Sequence, residues 1–211
     1  VLTGELEEAG EMLEQSAQLY RKFLGPQHPK VGIALSNLGI LILRQGRFEQ
    51  AQKTVQQARA ILLLALGKSH PNVGVVENNL GDIAVRLGDN ATAIDHYNRA
   101  RRIFEATFGA DTPPLAYPLT GLGEAELNTG NHAGARELLE QALPLRDSGD
   151  KPELAHTRFV LARAVVDDQH DRALELAEKA RQGYTESGPA YVPELKEVIA
   201  WQALHPRPNP D

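Results

Sequence analysis

The chain has 211 residues, a formal net charge of −6 and no cysteine. The acidic balance argues against attraction to phosphate backbones, which needs clustered Lys and Arg, so no nucleic acid partner is expected; without thiols neither a disulfide framework nor a thiolate zinc site can form, which makes a cytoplasmic chain the simpler reading. Aromatic residues are only 5% of the chain, a composition of helices packed through small side chains rather than of a sandwich or barrel, and no apolar run or signal pattern points to membrane insertion.

In chain order, the first segment already carries a period: Gly4 precedes Gly46, Ala9 precedes Ala51, and Leu24-Gly25 precedes Leu66-Gly67, each by 42 residues. Residues 1–3 are therefore expected to finish one helix and residues 5–24 to form the next, with an outer edge that lacks its usual cover. On this reading the chain is a fragment of a longer protein, and the uncovered edge is a place for homodimer formation.

The following two copies set the plan. His28-Pro29 and His70-Pro71 open them, and Thr112-Pro113 opens a third; Asn37-Leu38-Gly39, Gly46 and Ala51 return as Asn79-Leu80-Gly81, Gly88 and Ala93, then as Leu122-Gly123, Gly130 and Ala135. Proline suits the first helical position and glycine the left-handed residue that ends a helix, so a helix is expected from each proline to each glycine. The periodic runs 48–66, 90–108 and 132–145 then supply the second helix of each pair. Mid-helix glycines at 39, 81 and 123 cost roughly 1 kcal/mol against alanine, which a close helix contact explains. The small residues expected to face them are Ala51, Ala93 and Ala135, with Ala58, Ala100 and Ala142 two turns on.

Beyond Asp147-Ser148-Gly149-Asp150, a turn-forming cluster, the register slips: Leu161-Ala162 stands 39 residues after Leu122-Gly123. A fourth pair is expected from about Pro152 to Asp167 and from Asp171 to Gln182, with Ala173 and Ala180 in the small slots. The amphipathic run from Pro193 to Leu204, containing Trp201, reads as a C-terminal cap. The alternating prolines of residues 205–211 cannot be helical.

The order Leu35, Leu38-Gly39, Gly46, Ala51, Val55, Ala58 and its second copy Glu77, Leu80-Gly81, Gly88, Ala93, Tyr97, Ala100 resembles the tetratricopeptide repeat. The usual period of that repeat is about 34 residues; the longer stride, with His-Pro between copies, resembles the kinesin-light-chain subtype. Two positions depart: Glu77 replaces a large apolar residue, and Glu126 stands where an apolar or aromatic one is usual. The resemblance implies an all-α fold, a right-handed α-solenoid of antiparallel helix pairs with a capping helix. It implies one solenoid over residues 1–204, with a partial repeat at 1–25, repeats near 29–67, 71–109, 113–146 and 152–183, a cap near 189–204 and a tail at 205–211. Residues Tyr117–Gly123, Leu143–Arg146 and Leu154–Ala164 are similar to the final repeats appended to bacterial Ser/Thr protein kinases, although no kinase motif is present in the chain.

No constellation for catalysis appears. His28 and His70 lie in loops before proline, where a side chain can cap a helix, and the other histidines share no ligand spacing. Gly121-Leu-Gly123 lacks a third glycine and sits within a helix. No enzyme activity, metal or cofactor is expected.

In tetratricopeptide folds the first helices line a concave groove. The matching positions here are Ser36, Asn37, Ile40 and Arg44, then Asn78, Asn79, Asp82 and Arg86, then Thr120, Glu124 and Asn128, and more loosely Phe159, Arg163 and Asp167. Asparagine offers both a donor and an acceptor, so Asn37 and Asn79 suit the backbone of an extended segment, and Arg44 and Arg86 suit acidic side chains. The resemblance thus implies a non-catalytic module binding a protein or peptide. A merely hydrated polar row, with Asn37 and Asn79 paired inside the repeat, is the competing reading of these residues, and a homo-oligomerisation scaffold or a peptide sensor are competing functions.

Overall fold

The computed structural model describes residues 2–146 and 151–207, except for the side chains of residues 2–6. The turn expected at Asp147-Ser148-Gly149-Asp150 and the end of the proline tail lie outside the described residues. The chain clusters into two compact units, Val1–Ala110 and Asp111–Asp211, and the described residues form helices with no strand.

The N-terminal unit contains α1 (Leu2–Leu24), α2 (Pro29–Arg44), α3 (Phe48–Leu66), α4 (Pro71–Arg86) and α5 (Asn90–Phe108). α2 pairs with α3 and α4 with α5, while α1 packs on α2 and α3 on α4. The boundaries have local causes. His28 and His70 cap α2 and α4, each ring Nδ1 accepting a backbone N–H, from Lys30 at 3.2 Å and from Asn72 at 3.1 Å. The following prolines fill the position where a missing N–H costs nothing. Gly46 and Gly88 adopt φ of 76° and 78°, the left-handed conformation that glycine enters without a Cβ penalty. The turn then closes with the Arg47 N–H on the Ile42 carbonyl at 3.2 Å and the Asp89 N–H on the Ala84 carbonyl at 2.9 Å, satisfying carbonyls that the helix end would leave open.

The mid-helix glycines do mark close packing, chiefly against the large residue four positions after each expected alanine, although at Gly39 the Ala51 backbone carbonyl also comes within 3.5 Å of where a Cβ would stand. A Cβ on Gly81 would lie 2.5 Å from the Tyr97 ring and one on Gly123 2.6 Å from Leu139, and on Gly39 it would collide with Val55. Each glycine is a hole that receives the large side chain of the partner helix, and the flanking alanines, Ala51 and Ala58 or Ala93 and Ala100, are fully buried beside it. A large knob needs a vacant Cβ opposite it; alanine does not.

The break expected at Gly4 is also absent, because α1 runs without interruption through it. A continuous helix keeps the backbone hydrogen bonds that a turn forfeits, and one glycine costs the helix less than those bonds are worth.

The C-terminal unit contains a 3-10 turn (Pro113–Leu115) leading into α6 (Ala116–Asn128), then α7 (His132–Ala142) followed by a 3-10 turn (Leu143–Leu145), α8 (Lys151–Val165), α9 (His170–Ser187), a 3-10 turn (Pro189–Tyr191) and α10 (Val192–Leu204). α6 pairs with α7 and α8 with α9, α7 packs on α8, and α10 packs on α9. With consecutive prolines at 113 and 114 and no capping bond from Thr112, the third copy starts in 3-10 geometry and its α-helix begins at Ala116 rather than at Pro113. Ala173 and Ala180 are fully buried, as their slots require. The cap forms as expected: Val198 is fully buried, and Trp201 meets Phe159 edge to face, centroids 6.0 Å apart and planes at 88°. Beyond it His205 stacks on Trp201 at 4.3 Å, and the His170 ring reaches the Pro206 carbonyl at 3.1 Å.

Candidate protein-binding face

In the N-terminal unit the first helices of successive pairs, α2 and α4, lie side by side and are tied by the Asn79 amide donating to the Ser36 hydroxyl at 3.0 Å. The open row beside this bond contains Asn37, Ile40 and Arg44 on α2 and Asn79, Asp82 and Arg86 on α4. Asn37, Arg44 and Arg86 are exposed, while Ile40, Asn79 and Asp82 are half-buried. Asp82 is held by its own pair of helices, accepting from the Tyr97 hydroxyl at 2.8 Å and from the Asn78 amide at 3.3 Å.

The neighbouring column behaves differently. Ser36, Asn78 and Thr120 share one position of the repeat and are all buried. Each residue turns a helix by about 100°, so the column one residue before Asn37 and Asn79 rotates away from the open face into the packing. Thr120, read from the sequence as a groove residue, donates to the Ala116 carbonyl at 2.7 Å, meets the Thr157 hydroxyl at 3.0 Å and accepts from Arg146 at 3.1 Å. Those bonds leave it no ligand surface. Asn78 is likewise inside. In the C-terminal unit Glu124 is half-buried and faces the His156 ring at 3.2 Å, Asn128 is exposed at the end of α6, Phe159 lies under the cap, Arg163 sits 6.0 Å from the Phe159 centroid, and Asp167 is exposed beyond the end of α8.

Two features were missed in the sequence. Ile33 and Val75, one turn before Asn37 and Asn79, are 38% and 44% exposed and give the open row an apolar end opposite its arginines. Tyr117 holds the same position of the third copy and is 40% exposed. The signal was present in the stride itself, as Ile33, Val75 and Tyr117 are 42 residues apart.

The second feature is an ion cluster beneath the face. Glu77 is 2% exposed, with one oxygen 2.6 Å from Arg59 Nε, the other 2.7 Å from His96 Nδ1, and Arg99 at 3.8 Å. Burial pushes its carboxyl up, but the His96 and Arg59 hydrogen bonds and their charges outweigh that and hold it below the ordinary carboxylate value. The departure noted at Glu77 is therefore a paired charge in a leucine slot. The second departure, Glu126, accepts from the Asn131 amide at 2.9 Å and braces the turn before α7.

No helix of the described residues is long and apolar enough to cross a membrane. The tetratricopeptide repeat pattern matches residues 1–64, 33–106, 72–148 and 114–186, while no curated protein sequence matches the chain. Among solved structures, BtubC (BKLC) from P. vanneervenii is similar with a TM-score of 0.67 at 22% identity, over 99% of this chain and 78% of that one. Kinesin-light-chain TPR-like repeats from Podosopora anserina give a TM-score of 0.63 at 25% identity, over 88% of this chain and 90% of that one. A point variant of those same repeats gives 0.65 at 24%, with the same coverage. Such repeats generally serve as protein–protein interaction modules rather than catalysts. The helix pairs at a 42-residue stride, the glycine holes and the matched pattern together place the chain in the tetratricopeptide repeat family.

Proposed function

We propose that the chain is a non-catalytic binding module that holds an extended segment of another protein on the α2–α4 face of its N-terminal unit. The observation that carries this reading is the graded row on that face: apolar at Ile33 and Val75, amide-lined at Asn37 and Asn79, and cationic at Arg44 and Arg86. From position 33 to position 44 a helix advances about 16 Å, the reach of about five extended residues. The Asn79 carbonyl oxygen is not used in its bond to Ser36, so it suits a backbone N–H of the segment. Because Asp82 is already held by Tyr97 and Asn78, the charged end favours carboxylates. The favoured segment has a large apolar side chain at one end and acidic residues at the other. Glu124 and Asn128, which stand in the C-terminal unit 42 residues after Asp82 and Arg86, belong to this reading as contacts of that unit's own α6.

A random peptide library displayed against the full chain tests it. Enriched sequences should share the apolar-to-acidic order and should be lost on an Asn79→Ala, Arg86→Glu double variant with an unaltered helical circular-dichroism spectrum. Enrichment that survives the double variant overturns the assignment. Recruitment of substrates or regulators to a linked kinase is the finer reading, supported by the likeness of residues 117–164 to repeats appended to bacterial Ser/Thr kinases. The sequence encoded upstream of Val1 checks it directly, since a kinase domain there supports the role and any other domain removes it.

A further inference from the structure

The second helices of the N-terminal unit carry a different polar surface. α3 and α5 both pack on α4, and Glu77 of α4 lies between them, approached by Arg59 from α3 and by His96 and Arg99 from α5. The flanks above it are spaced alike. Gln52, Gln56, Arg59 and Leu63 on α3, and Thr92, His96, Arg99 and Ile103 on α5, advance in steps of 4, 3 and 4 residues, which keeps each set on one side of its helix. Neither set contains an acid. Asp95, exposed one turn before Arg99, is turned about 40° aside from it.

The helices would hold together on a leucine at position 77 as well, since the same position is Leu35 and Leu119 in the copies on either side. What the carboxylate adds is placement. Its Oε1 accepts from Arg59 Nε at 2.6 Å and its Oε2 meets His96 Nδ1 at 2.7 Å, while Arg99 is drawn to 3.8 Å without a hydrogen bond. Among the described residues neither arginine has a further partner, so both Nη groups of Arg59 and the fork of Arg99 are left to solvent, with side chains 34% and 45% exposed. We propose that Arg59 and Arg99 form a clamp for one carboxylate side chain of a partner protein, with Glu77 as the residue that positions them. Charge chooses the occupant. The two guanidiniums and Glu77 leave a single positive charge, which an Asp or Glu side chain cancels, whereas a phosphate monoester, at about −2, overshoots it. The clamp is separate from the α2–α4 face and does not rest on the reading of that face.

The test is an NMR titration of the full chain that follows the Nε–H resonances of Arg59 and Arg99, with acetyl-tetraglutamate amide as the probe. Both resonances should move and saturate, and acetyl-tetraglutamine amide should leave them in place. Arg99→Gln should weaken binding by about threefold or more. The double variant Glu77→Leu with His96→Leu decides the role of Glu77: losing its negative charge would tighten binding if charge alone mattered, whereas releasing the arginines should weaken it by about twofold or more. Arg86→Glu, on the α2–α4 face, should leave the response of Arg59 and Arg99 in place. Unmoved resonances overturn the proposal, as does an Arg99→Gln variant that binds as well as wild type, a double variant that binds as well or better, or a response abolished by Arg86→Glu. A tetrapeptide of phosphoserine that binds more than about tenfold tighter than tetraglutamate assigns the clamp to phosphate and overturns the carboxylate.

Discussion

The N-terminal unit buries a carboxylate and the C-terminal unit a guanidinium, and the two are accommodated by different chemistry. Glu77 is met by the Arg59 guanidinium and the His96 ring, which keep contact with water at 34% and 17% side-chain exposure. Arg146, with a side chain 3% exposed, donates to neutral oxygens of the described residues: the Thr157 hydroxyl at 3.0 Å, the Thr120 hydroxyl at 3.1 Å and the Ala116 carbonyl at 3.2 Å. The Tyr117 ring lies 4.3 Å from its guanidinium, and the Glu153 carboxylate at 3.9 Å is more distant. The difference teaches how one repeat frame tolerates a charge in its interior. A carboxylate accepts only, so it draws donors, here Arg59 and His96, whereas a guanidinium stays charged at any ordinary pH and spreads its several N–H groups over neutral oxygens as well.

The stride suggests the most direct way to break that contrast. Glu77 and His96 correspond to Leu119 and Leu138 one repeat later. Glu77→Ala should cost about 2–3 kcal/mol, at or below the lower bound for a broken buried pair because Arg59 can turn to water. Replacing both residues at once, Glu77→Leu with His96→Leu, should cost under about 1 kcal/mol, since a well-packed apolar pair substitutes for a buried ionic one. Urea denaturation of the two variants checks the ordering, and a double variant as damaged as the single one would mean that the cluster does more than fill a leucine slot.

The next largest effect concerns the glycine holes. Gly81→Ala should destabilise by about 1–2 kcal/mol, because the added methyl meets a Tyr97 ring whose hydroxyl is pinned to Asp82. Gly123→Ala should cost less, since Leu139 can change rotamer. Thermal melts would show the order, and equal losses would mean that ring rigidity does not matter.

Acid should separate the units in turn. The native Glu77 carboxyl is held below its ordinary value, so its contribution is fully present above the unfolded carboxylate range and is lost as pH falls through the depressed native value. The stability gap between wild type and the Glu77→Leu, His96→Leu variant should therefore move in favour of the variant between pH 7 and pH 3, while Arg146→Leu should show no such drift from its own ionisation. The smallest effect is at the caps. Asn131 accepts from the Gly134 N–H at 3.1 Å and also donates to Glu126, so Asn131→Ala should cost about 1 kcal/mol. Asp89→Ala, which removes an acceptor for both the Thr92 N–H and the Thr92 side chain, should cost a similar amount.

Most of the architecture was legible in the sequence because proline, histidine and glycine act locally: Pro29, Pro71, Gly46 and Gly88 bound their helices wherever the chain goes next. What escaped depends on contacts across helices. That Gly81 receives Tyr97 rather than facing Ala93 is a matter of helix rotation, and that Glu77 finds Arg59 and His96 requires knowing which residues 18 and 19 positions away are neighbours. The candidate face was legible at Asn37, Arg44, Asn79 and Arg86 but not at Thr120 or Asn78, where one residue's rotation decides between surface and interior. Ile33 and Val75 were passed over because exposed apolar residues look like core in a one-dimensional pattern.

The central claim is that the α2–α4 face holds a protein segment. Calorimetric titration of a library-selected peptide into wild type and into the Asn79→Ala, Arg86→Glu variant tests it most directly. The account predicts affinity at least about tenfold weaker for the variant, the loss of a charge-assisted contact and of a backbone hydrogen bond. Identical affinities would contradict it.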